Sequence, residues 1–360
     1  MSAPLDRQKA FAGTQAVSPA HHIDKARLSD YLKGHIEGFD GPLQIEQFKG
    51  GQSNPTYKLT TPGASYVLRR KPPGKLLASA HAVDREFRIM SALADVDFPV
   101  PRPLHLCTDD AVIGSMFFVM TYVPGRVFWY PWAPGLDGRD RAALFNSLNE
   151  TIARLHNFDP AALGLGDYGR PQGYVARQIR RWSEQYRASE TRNIPAMERL
   201  IEWLPGACPA DQPAAIIHGD FRLDNCIIDL HEPRVVAVLD WELSTLGDPV
   251  ADFTYHLMQW HMPASQSGAG VGTLKGHEKE PGLPALADYV EAYCCRTGRA
   301  GIENLDAYLA YNFFRIAAIL QGIAGRVRDG TAANAHAAAM ASQVEPLAET
   351  GWGFAMRAGA

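Results

Sequence analysis

Three polar residues in one stretch of the sequence have the types and the spacing that phosphoryl transfer needs. Asp220 and Asn225 lie five positions apart in a polar loop after an apolar run, and Asp240 ends a second apolar run fifteen residues after Asn225. Carboxylate and amide oxygens are hard ligands that suit Mg²⁺, whose octahedron is completed by waters and phosphates. The pattern predicts Mg²⁺-dependent phosphoryl transfer, in which one carboxylate orients a hydroxyl while Asn and Asp oxygens hold the metal on ATP.

The elements that must position these residues fall into two regions. Over residues 43–122, strand-like runs dominate, with one amphipathic helix at Ala80–Leu93. Beyond the turn signal Val123–Gly125 the pattern is helical, apart from a short β-rich insert, Ala215–Asp240, that carries the three polar residues. We therefore predict an α+β chain with a small antiparallel sheet lobe, a larger helical lobe and a ligand cleft between them.

The predicted organisation has three parts, with bounds read from the pattern. Residues 1–24 are expected to form a flexible N-terminal arm, residues 25–122 a nucleotide-binding lobe, and residues 123–360 a helical lobe with the catalytic loop and acceptor site. Strands are predicted at Leu43–Phe48, Pro55–Thr60, Ser65–Arg69 and Met116–Tyr122, and helices at Arg139–His156, Tyr174–Ser189, Ala285–Thr297 and from Asn304 to about Arg328.

Composition and charge exclude several classes of protein. The 360 residues are 46% hydrophobic and 21% charged, with a net charge of −4, which is too balanced for a nucleic-acid binder relying on a global basic field. Five cysteines without CxxC spacing argue against a disulfide scaffold and favour reduced thiols. No apolar run reaches the roughly 18 residues of a membrane span and no signal peptide is visible, so we expect a cytoplasmic protein without membrane partners.

The segment IIHGDFRLDNCIID, followed by VVAVLDWELSTLGDPVADF, resembles the signature of the aminoglycoside phosphotransferase and choline kinase group, which shares the protein-kinase-like fold. The resemblance covers about residues 25–330. It implies that Asp220 is the catalytic base, that Asn225 and Asp240 are Mg²⁺ ligands, and that ATP and Mg²⁺ are required.

The resemblance continues in the first lobe. YVLRRKP, residues 66–72, is similar to the family's third strand, whose basic residue contacts the ATP α/β-phosphates. That position falls on Arg69, which can form a fork contact with phosphate, and Arg70 and Lys71 remain alternatives. VDREF then places Glu86 where the family has the helix glutamate that pairs with this basic residue.

Two further nucleotide contacts are predicted from position in the chain. The segment GGQSNPTYKL lies between the first two strands, where a phosphate-covering loop belongs, with a plain hairpin turn as the alternative. Met120 and Tyr122 lie at the hinge, where backbone groups would meet adenine. The backbone N–H groups that would cradle the β/γ-phosphates are those of Gly51, Gln52, Ser53 and Asn54.

Four polar residues near the signature are predicted to be structural. Asp248 precedes Pro249 and suits a helix N-cap, and Asp252 is expected to bond to the backbone of the catalytic loop. His218 is expected to form structural hydrogen bonds, and Asp224 to stabilise the loop. Catalysis by Asp248 or Asp252, a proton shuttle at His218 and metal ligation by Asp224 are the alternatives.

The resemblance to this group implies that the acceptor is a small molecule with a hydroxyl. The HRD, DFG and APE motifs of protein kinases are missing from the sequence, which argues against a protein kinase. Residues 170–192 hold six arginines against two glutamates. Arg177, Arg180 and Arg181 share one side of the predicted helix, which suits an anionic substrate, with a solvated basic face as the alternative.

A narrower resemblance bears on the acceptor. RRKPPGKLLASAHAVDREFRIM and LDWELSTLGDPVADF are similar to the kinase domains fused to acyl-CoA dehydrogenase in some eukaryotic proteins, and to their free-standing bacterial relatives. This implies phosphorylation of a hydroxyacyl-CoA. Lys75 and the arginines of residues 170–192 are then candidate contacts for the coenzyme A phosphates.

Other functions remain open beside this one. An aminoglycoside or choline-type kinase is one alternative, although the last 60 residues hold five acids and four bases, which is no acidic excess for a polycation. A nucleotide-binding pseudokinase and an acyl-CoA-binding protein with vestigial nucleotide binding are others, and the presence of Asp220, Asn225 and Asp240 together argues against the former. Residues 263–284, rich in Gly, Ser and Pro, are predicted to be a mobile lid over the acceptor.

Overall fold

The first lobe is built on a six-stranded antiparallel sheet. The computed structural model describes residues 6–50, 54–72, 82–207, 209–264, 272–330 and 337–360. The strands are Thr14–Gln15 (β1), Gln44–Phe48 (β2), Thr56–Thr60 (β3), Ser65–Arg70 (β4), Pro103–Cys107 (β5) and Phe117–Thr121 (β6), in the order β1-β2-β3-β4-β6-β5. The helices of this lobe are Arg7–Phe11 (α1), Lys25–Lys33 (α2) and Val83–Ala94 (α3). The four predicted strands are confirmed to within one residue at each end.

The alternation of side chains along β4 decides which of them face the cleft between the lobes. Successive residues of a strand point to opposite faces of the sheet. Leu68 belongs to the core cluster under α2, whereas Val67 belongs to the cluster that continues through α3 into the second lobe. Arg69 therefore faces the second lobe with Val67. Arg70 faces the other way, and its Nε donates to Ser115 Oγ at 3.0 Å.

The helix α3 presents a carboxylate on its buried face. It begins at Val83, three residues later than predicted, and residues 80–81 lie outside the described part of the chain. Ile89 is fully buried, and Phe87 is partly buried against the core. The buried face of α3 therefore includes Glu86, which is 1% exposed.

The second lobe is helical. The four helices with predicted counterparts agree to within one residue. Among the other helices, α6 and α11 pack against each other and against α9. These two were not predicted because α6 contains Pro205 and α11 contains Pro346 and Gly351, residues that disfavour a helix interior. The helices are Gly138–Asn157 (α4), Tyr174–Ser189 (α5), Pro195–Ala207 (α6), Pro249–Leu257 (α7), Leu286–Thr297 (α8), Leu305–Arg328 (α9), Ala337–Ala341 (α10) and Val344–Arg357 (α11).

Two small antiparallel pairs in this lobe frame the predicted catalytic loop. Ala215–Ile217 (β7) pairs with Thr245–Gly247 (β10), and Cys226–Ile228 (β8) pairs with Val235–Val238 (β9). Because β7 pairs with β10 and β8 with β9, the loop between β7 and β8 lies beside the residues between β9 and β10. Leu239 N donates to Asn225 O at 2.8 Å across this gap. Asn225 and Asp240 are thereby brought to the same edge.

Residues 6–24 differ from the predicted flexible arm. They contain α1 and β1, and β1 extends the sheet by pairing with β2. Arg7, at the start of α1, is 6% exposed and ion-paired to Asp224. The polar composition that suggested a loose arm instead supplies hydrogen-bonding groups that dock this segment on the rest of the protein.

The described part of the predicted lid, residues 263–264 and 272–284, is packed rather than free-standing. Leu274 is 1% exposed, and its N–H donates to Gln259 O at 2.7 Å. The His277 ring stacks on Trp132 with centroids 3.9 Å apart, and Arg141 bonds to Pro281 O. Residues 265–271 of this segment lie outside the described residues. Gly and Pro were read as signs of mobility, but here they permit close packing against the start of α4.

Across the described ranges, no helix combines the length and the apolar character that crossing a bilayer requires.

Candidate active site

The backbone of the loop after β7 is held by one buried carboxylate. Asp252 of α7 accepts from His218 N and from Gly219 N, each at 2.8 Å, and lies 3.2 Å from His156 Nε2. Burial alone would raise the pKa of the Asp252 carboxyl, but the His156 contact and these donors hold it below its usual value. The predicted structural role of Asp252 is confirmed, because the carboxylate fixes the turn that presents Asp220.

His218 and Asp248 are also structural, as predicted. The His218 Nδ1 accepts from Asp220 N at 3.2 Å, so Nε2 carries the proton and donates to Leu239 O at 2.9 Å. Asp248 caps α7 by accepting from the N–H groups of Val250 and Ala251. These contacts use both nitrogens of His218 and place Asp248 at a helix start, which leaves catalysis to other residues.

Asp220 is held by two hydrogen bonds and one ion pair. Its Oδ1 accepts from Tyr255 Oη at 2.6 Å and lies 3.1 Å from Arg222 Nε, and its Oδ2 accepts from Asn225 Nδ2 at 3.1 Å. Together these three contacts fix the orientation of the carboxylate. Asp220 is therefore suited to orient a hydroxyl group and to receive its proton late in a reaction.

The residues predicted to bind Mg²⁺ offer the oxygens that this ion prefers. The Nδ2 of Asn225 also donates to Asp220 O at 2.9 Å, so the amide nitrogen faces Asp220 and Oδ1 is the atom left for a metal. Asp240 has a left-handed backbone (φ 65°, ψ 60°) and a side chain that is 31% exposed. Within the described ranges, no three His, Cys, Asp or Glu side chains form a metal-binding group. Two protein oxygens fit Mg²⁺, which keeps waters and substrate phosphates as its other ligands.

Arg69 occupies the centre of an acidic cluster between the lobes. Its Nε lies 2.9 Å from Glu86 Oε2, and its Nη2 lies 2.5 Å from Asp240 Oδ1 and 3.7 Å from Glu242 Oε2. The predicted pairing of Arg69 with Glu86 is thus present. Burial raises the pKa of Glu86 to about 7, with Asp240 and Glu242 acting in the same direction and Arg69 opposing them. Because three carboxylates surround one guanidinium, the cluster would attract a further cation.

The remaining nucleotide residues are placed as follows. Gly51, Gln52 and Ser53 lie outside the described residues. Asn54 is fully buried, and its Nδ2 donates to Glu86 Oε1 at 3.0 Å and to Glu242 Oε2 at 3.3 Å. Met120 is buried at the end of β6, and the Tyr122 ring lies 4.6 Å from Lys58 Nζ. Adenine contact by Met120 and Tyr122 stays a prediction.

The candidate acceptor residues lie at the first half of α5. Arg177 Nη2 donates to Arg170 O at 2.5 Å, and Arg180 and Arg181 are exposed. In the described structure, no carboxylate forms an ion pair with any of these three. Farther along, Arg187 pairs with Glu198 and Arg192 pairs with Glu345. The arginines of this segment without a carboxylate partner in the described structure therefore lie in the first half of α5. Lys75, the other candidate acceptor contact, lies outside the described residues.

Four residues of the site were not predicted. Tyr255 and Arg222 contact Asp220, Glu242 joins the Arg69 cluster, and Arg315 of α9 donates to Gly219 O at 2.9 Å. Arg222 follows Asp220 by two positions, and Glu242 follows Asp240 by two positions. Their closeness in sequence to the predicted residues could have indicated that they belong to the site. Tyr255 and Arg315 are 35 and 96 positions away from their partners, and no local pattern marks them.

A sheet lobe, a helical lobe and an Asp-x₄-Asn loop facing an Arg–Glu pair define the protein-kinase-like phosphotransferase fold. A family model described as the phosphotransferase enzyme family matches residues 44–308. The chain belongs to this family.

Individual relatives refine the comparison. The chain is 43% identical over 351 residues to acyl-CoA dehydrogenase family member 10 of Mus musculus, a match that covers 96% of this chain and 32% of that protein. The chain thus spans about a third of that relative. A solved structure from Ralstonia eutropha, provisionally assigned as an aminoglycoside phosphotransferase, is 47% identical with a TM-score of 0.83, and the match covers 93% of this chain and 99% of that chain.

A more distant structure agrees in fold alone. Spectinomycin phosphotransferase, solved with ADP and spectinomycin, is 12% identical with a TM-score of 0.61, and the match covers 94% of this chain and 99% of that chain. These comparisons confirm the predicted fold class.

Proposed function

We propose that this protein transfers the γ-phosphoryl group of MgATP to the hydroxyl of a hydroxyacyl-CoA. The phosphotransferase class follows from the family, and the acceptor and the residue roles are the proposal. One observation carries it: Asp220, Asn225 and Asp240 share one edge of the second lobe, and Arg69 of the first lobe reaches the same edge to contact Asp240.

The proposed roles follow from the contacts. Asp220 accepts a hydrogen bond from the acceptor hydroxyl and takes its proton as the bond to phosphorus forms. Tyr255, Arg222 and Asn225 hold the carboxylate, which supplies orientation before the reaction. Arg69, kept in place by Glu86, provides positive charge for the phosphates at the mouth of the cleft.

Mg²⁺ fits the oxygens of Asn225 and Asp240, and when bound it would neutralise charge on the phosphate oxygens. Asp240 contacts Arg69 here, and the N–H of the preceding residue, Leu239, donates to the backbone oxygen of the proposed metal ligand Asn225. Asp240 would therefore couple phosphate binding by Arg69 of the first lobe to metal binding in the second lobe.

A coenzyme A ester is favoured as acceptor by charge. Arg177, Arg180 and Arg181 give the start of α5 uncompensated positive charge, which suits the phosphates of coenzyme A. The start of α5 packs on the strand pair that leads to the site, because the Tyr174 ring lies against Gly247 of β10, which pairs with Ala215 at the start of β7. A relative named as an acyl-CoA dehydrogenase carries a region similar to this chain.

The structure offers less to a polycationic acceptor such as an aminoglycoside. Three of the five acids in the last 60 residues form ion pairs with arginine: Asp306 with Arg357, Asp329 with Arg328, and Glu345 with Arg192. Paired carboxylates attract a cation less strongly than free ones do. The charge distribution therefore favours the anionic acceptor.

The test is a panel assay with purified protein and MgATP. The acceptors are coenzyme A esters with a hydroxyl at different distances from the thioester, the corresponding free hydroxy acids, choline and an aminoglycoside, and both ADP and phosphorylated product are measured. We expect turnover with hydroxyacyl-CoA esters only. Turnover with choline or the aminoglycoside, and none with the esters, would reject the acceptor while retaining the enzyme class.

Charge-removing variants link the acceptor to α5. Replacing Arg177, Arg180 and Arg181 together by Gln is expected to raise KM for the ester at least about 10-fold while leaving KM for MgATP unchanged, as expected for lost contacts with a phosphate. Arg328→Gln, which removes an exposed arginine of α9, is the matched control. An unchanged KM for the ester in the triple variant would remove α5 from the acceptor site.

A further inference from the structure

The N-terminal helix α1 lies outside the residues that the family model matches, yet it borders the active site. The Gln8 side chain exchanges hydrogen bonds with the backbone of Val127 and Trp129 at 3.2 and 3.3 Å. The Phe11 ring lies 5.1 Å from the Trp129 ring. The helix is thereby docked on the segment that follows the turn between the lobes.

The same helix reaches the catalytic loop through Arg7. Its Nη2 lies 3.2 Å from Asp224 Oδ2, and both side chains are less than a tenth exposed. The same carboxylate oxygen lies 3.4 Å from Arg222 Nη2, and Arg222 Nε lies 3.1 Å from Asp220 Oδ1. Four side chains of alternating charge therefore run from α1 to the proposed base.

This alternation has a consequence for Asp220. The buried carboxylate of Asp224 is paired with both Arg7 and Arg222. Removing one partner of a buried charge destabilises the folded protein. Without Arg7, the guanidinium of Arg222 would be attracted more fully to Asp224 and away from Asp220. The carboxylate of Asp220 would then lose its ion-pair partner at Oδ1 and with it part of its fixed orientation.

We propose that Arg7 is a positioning residue for phosphoryl transfer. Arg7 neutralises Asp224, which allows Arg222 to remain paired with Asp220. The helix α1, outside the residues that the family model matches, would thereby control the orientation of the proposed base. The inference rests on the proposed function, because Asp220 must be the base for its orientation to control turnover.

The test compares four variants at saturating MgATP, with the hydroxyacyl-CoA of the panel that is turned over fastest. Arg7→Met is expected to lower kcat at least about 10-fold with KM for MgATP nearly unchanged, because a misplaced base slows the chemical step without weakening nucleotide binding. Arg7→Lys should recover part of the loss. Arg7→Met combined with Asp224→Asn should recover more, because the competing carboxylate is gone.

The matched control is Arg357→Met. Arg357 ties the C-terminal helix α11 to Asp306 at 3.3 Å, as Arg7 ties the N-terminal helix to Asp224, but among the described contacts this pair does not touch Asp220, Arg222 or Asp224. We expect wild-type kcat for this variant. A second readout needs no turnover: in the protein without nucleotide, amides of residues 218–225 should exchange hydrogen faster in Arg7→Met than in Arg357→Met.

The outcomes separate the two proposals. Unchanged kcat in Arg7→Met, or a double variant that shows no recovery, overturns the positioning role while the loss of turnover in Asp220→Asn keeps the proposed function. Turnover that survives Asp220→Asn removes the base and overturns both. If Arg7→Met fails to fold, Arg7→Lys and the double variant still decide the question, because only a charge effect predicts that removing Asp224's carboxylate helps.

Discussion

Arg69 shows how one side chain joins the two lobes. It is 7% exposed and is contacted by carboxylates from α3 and from the turn after β9. Its nitrogens serve different partners, with Nε toward Glu86 and Nη2 toward Asp240, and only a planar guanidinium supplies both directions. The sequence left Arg69, Arg70 and Lys71 as alternatives, and strand alternation places Arg69 in the cluster.

This geometry makes a prediction for Arg69→Lys. A lysine keeps the charge but cannot contact Glu86 and Asp240 together, so we expect KM for MgATP to rise about 10-fold, equivalent to one lost charge-assisted hydrogen bond. Steady-state kinetics with varied MgATP measure this. Arg70→Lys is the matched control, because Arg70 faces Ser115 on the other side of the sheet. A rise in KM in Arg70→Lys alone would show that the wrong arginine has been assigned.

At the scale of elements, the loop that carries Asp220 depends on a glycine. Gly219 has φ +84°, and a Cβ placed on it would lie 2.8 Å from Leu243 O, in the turn after Asp240. The loop and this turn approach so closely because their flanking strands are paired across the insert. Only a residue without a side chain permits both the backbone conformation and the close approach.

Gly219→Ala is therefore expected to destabilise the protein and to reduce turnover. The left-handed backbone alone costs about 1–2 kcal/mol for alanine, and the clash with Leu243 O adds to it. Gly38→Ala is the matched control, because Gly38 has φ +74° but a Cβ added there would meet nothing within 4 Å. Urea denaturation should show a larger loss of stability for Gly219→Ala, and only this variant should lose turnover. Equal losses would mean that the close approach has no role.

Elements were predictable where the pattern was local. The helix α5 begins and ends where its apolar spacing indicated, and four of the six strands of the first lobe (β2, β3, β4 and β6) followed from short runs between turn residues. Segments with Pro and Gly were misread, since α11 is helical despite Pro346 and residues 272–284 are packed. In both cases tertiary contacts outweigh local propensity, which a single sequence does not reveal.

At the scale of the molecule, the site is assembled from parts that are distant in the chain. The signature predicted Asp220, Asn225 and Asp240, but Tyr255, which donates to Asp220, comes from α7, and Arg7, which pairs with Asp224, comes from α1. A contact such as Arg7 to Asp224 spans 217 positions and leaves no periodic signal. The sequence therefore predicted the reactive groups better than the groups that orient them.

The whole arrangement assigns separate tasks to the two lobes. The first lobe supplies Arg69 and Glu86, and the second supplies Asp220 and the proposed metal ligands Asn225 and Asp240. A substitution at Asp220 should consequently affect the chemical step and leave nucleotide binding to the other residues.

The most direct measurement is the turnover and MgATP affinity of Asp220→Asn, with phosphorylated hydroxyacyl-CoA detected by mass spectrometry. This variant keeps the shape of the side chain but removes its ability to accept the proton. We expect kcat to fall at least about 100-fold, as is typical when a general base is lost, while MgATP binds with nearly wild-type affinity. Near-normal turnover in Asp220→Asn would contradict the assignment of the base and the account built on it.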